Sequence, residues 1–202
     1  MVPEQLKDFR NFLYLVWKFL KLPEPTPIQY SVADYLQHGS QRQIISAFRG
    51  AGKSWCTSAF VLWKLLLNPQ LNILVVSASK NRADDFSTFC LRLLSEMEIL
   101  KHLYPKDNQR QSKISFDVAT AIASHQPSVK SLGISSQLTG SRSDIIIADD
   151  IETSSNSQTQ LMRDRLGEAI KEFEAILKPD EKSRIIFLGT PQTEQSIYNK
   201  LQ

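Results

Sequence analysis

The sequence predicts an α/β fold in which a predominantly parallel central sheet is flanked by helices. Three observations predict it. Four short runs, Gln43 to Phe48, Asn72 to Ser77, Asp144 to Ala148 and Arg184 to Leu188, have apolar centres that do not alternate, the pattern of strands buried on both faces. Stretches of helical periodicity lie between them. The 202 residues are 42% hydrophobic and 22% charged, which supports a real core and excludes extended disorder.

Taken in order, Leu6, Phe9, Leu13, Val16, Trp17 and Leu20 recur at helical spacing, so residues 4 to 22 read as an amphipathic helix that Pro23, Pro25 and Pro27 end. A second helix runs from Ile28 to Leu36. Further helices are expected at Trp55 to Leu67, Asn81 to Leu100 and Thr159 to Leu177. Ser115 to Val118 and Val129 to Ile134 flank a polar turn at His125 to Pro127 and read as a β-hairpin inserted before the third core strand. Tyr104 to Lys113 and Glu152 to Gln160 read as polar loops. The chain then divides into an N-terminal helix, residues 1–24, and one domain, residues 25–202.

Arg10, Lys18 and Lys21 interrupt the most apolar N-terminal stretch, so neither a membrane span nor a signal-peptide core is expected. The protein is expected to be soluble and unsecreted. Cys56 and Cys90 alone make neither a disulfide framework nor a Cys-based zinc site. A net charge of +3 permits a polyanionic partner without demanding one. Trp17, Trp55 and Trp63 are expected to pack, both cysteines to be buried, and His38, His102 and His125 to lie at the surface.

The strongest chemical signal is Phe48-Arg49-Gly50-Ala51-Gly52-Lys53-Ser54, leaving one expected strand and entering a helix. That context is what a P-loop requires. Backbone N–H groups from Gly50, Ala51, Gly52, Lys53 and Ser54 can wrap phosphate oxygens, Lys53 can reach the β- and γ-phosphates, and Ser54 can ligate Mg²⁺. The usual spacing puts glycine where this chain has Ala47. Ile145-Ile146-Ile147-Ala148-Asp149-Asp150 supplies the second requirement, carboxylates at the end of a buried strand. Asp149 is the expected Mg²⁺ partner. Asp150 stands where a general base belongs, and Glu152, two residues on, is a rival. Upstream, the Gln29 amide matches the donor and acceptor edge of adenine. Downstream, Gly189-Thr190-Pro191 ends a strand where a motor ATPase senses the γ-phosphate.

In this order these pieces resemble the N-terminal ATPase of the large terminase subunit of tailed bacteriophages, in its podophage DNA maturase form, with Gln137 to Asp144 leading into the acidic strand. The resemblance implies a RecA-like P-loop NTPase fold of the ASCE type. The family places a basic residue early in its P-loop, which Arg49 fits. Carried onto this chain, Gln29 resembles the adenine motif, Arg49, Lys53 and Ser54 the phosphate-binding residues, Asp149 the magnesium aspartate, and Gly189 to Pro191 the coupling motif. Val76 to Ser79 resembles a strand end shared with helicase motors. Many members have Glu directly after the magnesium aspartate, where this chain has Asp150, so Glu152 stays open as the base.

The implied activity is ATP hydrolysis with Mg²⁺ that drives double-stranded DNA into a procapsid, in the host cell cytoplasm. The implied partners are DNA, the portal protein, the small terminase subunit and further copies in a pentameric ring. The family's C-terminal nuclease is expected to be absent, and with it nuclease activity. Arg142 is expected beside the nucleotide edge as an arginine finger acting on the next subunit, with pairing to Asp144 or contact with DNA phosphates as its plain alternatives and Arg49 as the rival finger in cis. Two other classes share part of the pattern. A superfamily-2 helicase needs a second RecA-like domain, for which 202 residues leave no room, and a small-molecule kinase needs an Arg-rich lid, whereas Glu152 to Gln160 has no Arg.

Overall fold

Runs of residues buried on both sides must find cover above and below, and the chain achieves this with one six-stranded sheet between two helical layers. The computed structural model describes residues 2–201. The spatial strand order is β1-β6-β5-β2-β4-β3. Five strands are parallel: β1 (Arg42–Ser46), β2 (Ile73–Ser77), β4 (Val129–Gly133), β5 (Ile145–Asp149) and β6 (Arg184–Gly189). The short β3 (Ser115–Phe116) closes one edge antiparallel to β4.

The twofold alternation of strand side chains sorts the core into two halves. Ile73, Val75, Ile145, Ile147, Ile186 and Leu188 face one side, where they meet α1 (Phe9–Phe19), α2 (Pro27–His38), α3 (Lys53–Leu67) and α4 (Lys80–Glu96). Leu74, Val76, Ile146, Ala148, Ile185 and Phe187 face the other, covered by α6 (Gln160–Ile176) through Leu166, Ile170, Phe173 and Ile176. The mainly parallel sheet flanked by helices is therefore as the sequence reads.

Four boundaries differ, each for a physical reason. The first helix breaks at Asp8, whose carboxylate accepts from the Arg10 N–H and caps α1, leaving Glu4–Lys7 as a 3₁₀ turn. The division after residue 24 is no boundary in the core. Phe9 meets Phe60 and Trp63 of α3 at ring-centroid distances of 5.3 and 5.2 Å, and the Trp63 indole donates to the Leu6 carbonyl at 2.7 Å. α4 stops at Glu96, four residues early, because Met97 turns extended. The periodicity continues since Met97, Leu100 and Leu103 are still buried, now from irregular and 3₁₀ backbone.

The hairpin is the fourth. β3 and β4 do pair antiparallel, but β4 also lies parallel to β2 over its whole length, so it extends the central sheet rather than standing apart as an insertion. Within the expected loop 152–160 a short helix, α5 (Ser154–Ser157), forms; Asn156 Oδ1 accepts from the Thr153 N–H at 2.8 Å. A last short helix, α7 (Ile197–Lys200), follows β6. No helix among the described residues is long and apolar enough to cross a membrane.

Candidate active site

Parallel strands bring their C-terminal ends to one edge, and register makes that edge specific. Ser46 of β1 stands beside Gly189 of β6, Leu188 of β6 beside Asp149 of β5, and Asp149 beside Ser77 of β2. β6 therefore separates the strand that feeds the P-loop from the strand that carries the acidic pair. Thr190, the next residue after β6, is placed between the two.

The P-loop owes its shape to two left-handed residues, Gly50 at φ 87° and Gly52 at φ 82°. At Gly52 a side chain would also collide with the Gln29 amide, 2.7 Å from the position of a Cβ. Gly52 leads directly into α3 with no side-chain cap, so the first-turn N–H groups and the positive end of the helix point toward solvent at this edge. Lys53 is only 6% exposed; its ammonium donates to the carbonyls of Ala47 at 2.9 Å and Phe48 at 3.1 Å and to the Thr190 hydroxyl at 3.0 Å. Thr190 in turn donates to Ala47 at 2.8 Å. The lysine is thus held against the loop and tied to β6. Arg49 is exposed on the same loop.

Asp149 is 7% exposed, and its Oδ1 has no hydrogen-bond partner. Burial pushes its carboxyl up to about 6; the Ser54 hydroxyl pulls back, Asp150 adds to the rise, and Lys53 and Arg82 oppose it. An orphaned buried carboxylate oxygen beside a serine hydroxyl in the same cleft is the oxygen donor set a hard divalent cation needs, so Ser54 and Asp149 fit Mg²⁺. A raised carboxyl destabilises the fold as pH climbs from about 4 toward 6, where the unfolded chain ionises and the native carboxyl does not. Asp149→Asn is therefore expected to stabilise the metal-free protein by about 2–3 kcal/mol at pH 8 and hardly at all at pH 4. Thermal melts in chelator at the two pH values measure this; an equal shift at both would show that the charge is not the cause.

Asp150 sits at φ 48°, a turn that sends its side chain into the cleft while its N–H bonds the Leu188 carbonyl at 2.8 Å. The cleft, about 370 Å³, is lined by Ser54, Trp55, Ser77, Arg82, Asp149 and Asp150 among others. The Arg82 guanidinium lies 4.0 Å from the Asp150 carboxylate. Neither Arg82 nor Trp55 figured in the sequence reading as a site residue. Trp55 packs as expected, against Trp17 and Phe89 at ring-centroid distances of 6.3 and 5.6 Å, yet is 41% exposed and lies between this cleft and a second one of about 280 Å³ lined by Trp17, Leu22, Pro23, Thr26, Gln29 and Gly52. In that second cleft the Gln29 carbonyl accepts from the Thr26 N–H at 2.9 Å, and its NH₂ donates to Ala51 at 3.2 Å.

Two residues lie elsewhere. Glu152 is 2% exposed and turned from the cleft, its carboxylate accepting from the Ser196 hydroxyl. Arg142 precedes β5, so it belongs to the opposite edge of the sheet, roughly 16 Å away at about 3.3 Å per strand residue. It donates there to the Ala175 carbonyl near the end of α6. The expected place beside the nucleotide edge is not where it lies, because β5 runs from Arg142 toward the site. Asp144 pairs not with Arg142 but with Lys178, at 2.9 Å.

The family model described as "Terminase large subunit, T4likevirus-type, N-terminal" matches residues 44–194, from β1 through the turn after β6. The chain belongs to the large terminase family. The terminase large subunit of Enterobacteria phage T3 is 52% identical over 204 residues, which cover all of this chain and 35% of that protein. This terminase chain thus spans about a third of the length of that curated relative. Among solved structures, a mutant of the large terminase ATPase domain of Thermus phage P74-26 aligns over 91% of this chain and 71% of its own, with a TM-score of 0.56 at 13% identity. S. cerevisiae dbp5 bound to gle1 and ip6 aligns over 94% of this chain and 46% of its own, with a TM-score of 0.59 at 14% identity. At such identities these two establish the fold of the terminase chain.

Proposed function

We propose that this chain is the ATP-hydrolysing part of a DNA-packaging motor. The observation that carries the reading is the convergence, in a member of the terminase family, of Lys53, Thr190, Asp149 and Asp150 on one sheet edge next to an uncapped helix start.

In this reading the N–H groups of residues 50–54 hold the phosphates of ATP, Lys53 exchanges a carbonyl of the P-loop for a phosphate oxygen, and Arg49 adds charge from solvent. Ser54 and Asp149 would hold Mg²⁺, which when bound would neutralise charge on the transferring phosphoryl group. Asp150 takes the proton of the attacking water, and Arg82, 4.0 Å away, holds its carboxylate in the cleft. Gln29 and the cleft behind Trp55 take the base. Thr190, bonded to Lys53, registers loss of the γ-phosphate. Arg142 lies away from this edge in its own chain, and the role proposed for it is that of a finger on the next copy's site.

The motor's work is translocation of double-stranded DNA into a procapsid in the host cytoplasm, by a ring of copies docked on the portal protein with DNA delivered by the small terminase subunit. The test is ATP hydrolysis by the protein with and without double-stranded DNA and procapsids. Turnover that rises when both are present is expected. Turnover with a small-molecule phosphate acceptor and indifference to DNA would favour a kinase instead.

A further inference from the structure

Below the active edge lies a buried polar cluster that hydrolysis does not use. Glu152 reaches it three residues after Asp149. One carboxylate oxygen accepts from Ser196, itself buried, and the other has no partner. The Glu152 N–H lies 3.5 Å from the Tyr198 hydroxyl, and that hydroxyl lies 3.4 Å from the Leu188 carbonyl. Tyr198 is fully buried over Gly189, where a Cβ would come within 2.0 Å of the ring. The cluster therefore joins three segments: the turn after β5, the end of β6, and α7.

A half-satisfied buried carboxylate costs stability that an apolar residue of the same size would avoid. Packing alone does not account for it. The same two strand ends carry the working groups, since Asp150 bonds to Leu188 and Thr190 bonds to Lys53. We infer that Glu152 is a positioning residue: through Ser196 and Tyr198 it fastens α7 to the ends of β5 and β6, so that α7 shifts only together with Asp150 and Thr190. This inference rests on the ATPase reading and adds to it the element through which the nucleotide state leaves the site.

The test compares wild type, Glu152→Ala, Glu152→Gln and Ser196→Ala by steady-state ATP hydrolysis and by amide hydrogen exchange over residues 193–201, with and without a non-hydrolysable ATP analogue. In wild type the analogue should change exchange in that segment. Glu152→Ala should abolish this response and lower kcat about tenfold or more with KM within about threefold, because nucleotide contacts are intact. Glu152→Gln, which keeps an acceptor for Ser196, should restore both. Should Glu152→Ala fail to fold, Ser196→Ala removes only the hydroxyl and is expected to show the same paired loss.

A Glu152→Gln protein as inactive as Glu152→Ala, with the response of residues 193–201 retained, would make Glu152 a direct participant and overturn the inference. So would unchanged kcat once that response is lost. Absence of hydrolysis and of nucleotide binding in wild type would instead remove the ATPase reading itself.

Discussion

Lys53→Ala is expected to lower ATP hydrolysis by about 10²–10³-fold or more, while the protein melts within a few degrees of wild type. The lysine is buried among the carbonyls of Ala47 and Phe48 and the Thr190 hydroxyl, and no part of either hydrophobic core rests on it. Removing it still leaves the Phe48 carbonyl the Ala51 N–H at 3.3 Å, and Thr190 still donates to Ala47. The structural loss is therefore small, and the chemical loss is the buried charge that the P-loop brings to the transferring phosphoryl group. Phosphate release measured beside a thermal melt separates the two. Normal turnover by a folded Lys53→Ala protein would mean that the P-loop does not hold the reacting phosphates.

Asp150→Asn is expected to cut kcat by about 10²–10⁴-fold and leave nucleotide affinity within a few-fold, the loss typical of a general base. Asparagine tolerates the left-handed backbone at φ 48°, so the turn survives the substitution. What disappears is the carboxylate that faces Arg82 across the cleft. Glu152→Gln, buried against Ser196, is expected to stay within a few-fold of wild type. If instead Asp150→Asn turns over normally and Glu152→Gln stalls with ATP bound, the base lies two residues downstream.

Gly189 offers a check on packing alone. An alanine there must displace the buried Tyr198 ring, so Gly189→Ala is expected to destabilise the fold by about 1–3 kcal/mol or more, read as a lower melting temperature. An unchanged melting temperature would show that the ring moves aside freely.

The central strands were legible because burial on both faces demands unbroken apolar runs, and β2, β5 and β6 supply them. β4 was not, since Lys130, Ser131 and Gly133 make it read as an exposed hairpin arm; its other neighbour, β2, is more than fifty residues earlier. The P-loop was legible from local chemistry alone, as glycines at left-handed positions and a lysine at a helix start are set by nearest neighbours. Direction along the sheet was harder. Arg142 is close to Asp149 in sequence, yet a whole strand separates them in space. The burial of Glu152 depends on Ser196 and Tyr198, 44 and 46 residues later, and the approach of Arg82 to Asp150 depends on β2 and β5 being adjacent. No periodicity encodes either contact.

The central claim is that ATP is held and cleaved where the P-loop meets the acidic end of β5. A structure of the protein with Mg²⁺ and a non-hydrolysable ATP analogue tests it most directly. The expected result has the phosphates on the N–H groups of residues 50–54, Lys53 turned from a P-loop carbonyl to a phosphate oxygen, the metal between Ser54 and Asp149, and Asp150 facing the terminal phosphate. Nucleotide bound away from residues 50–54, or a metal that ignores Asp149, would contradict it.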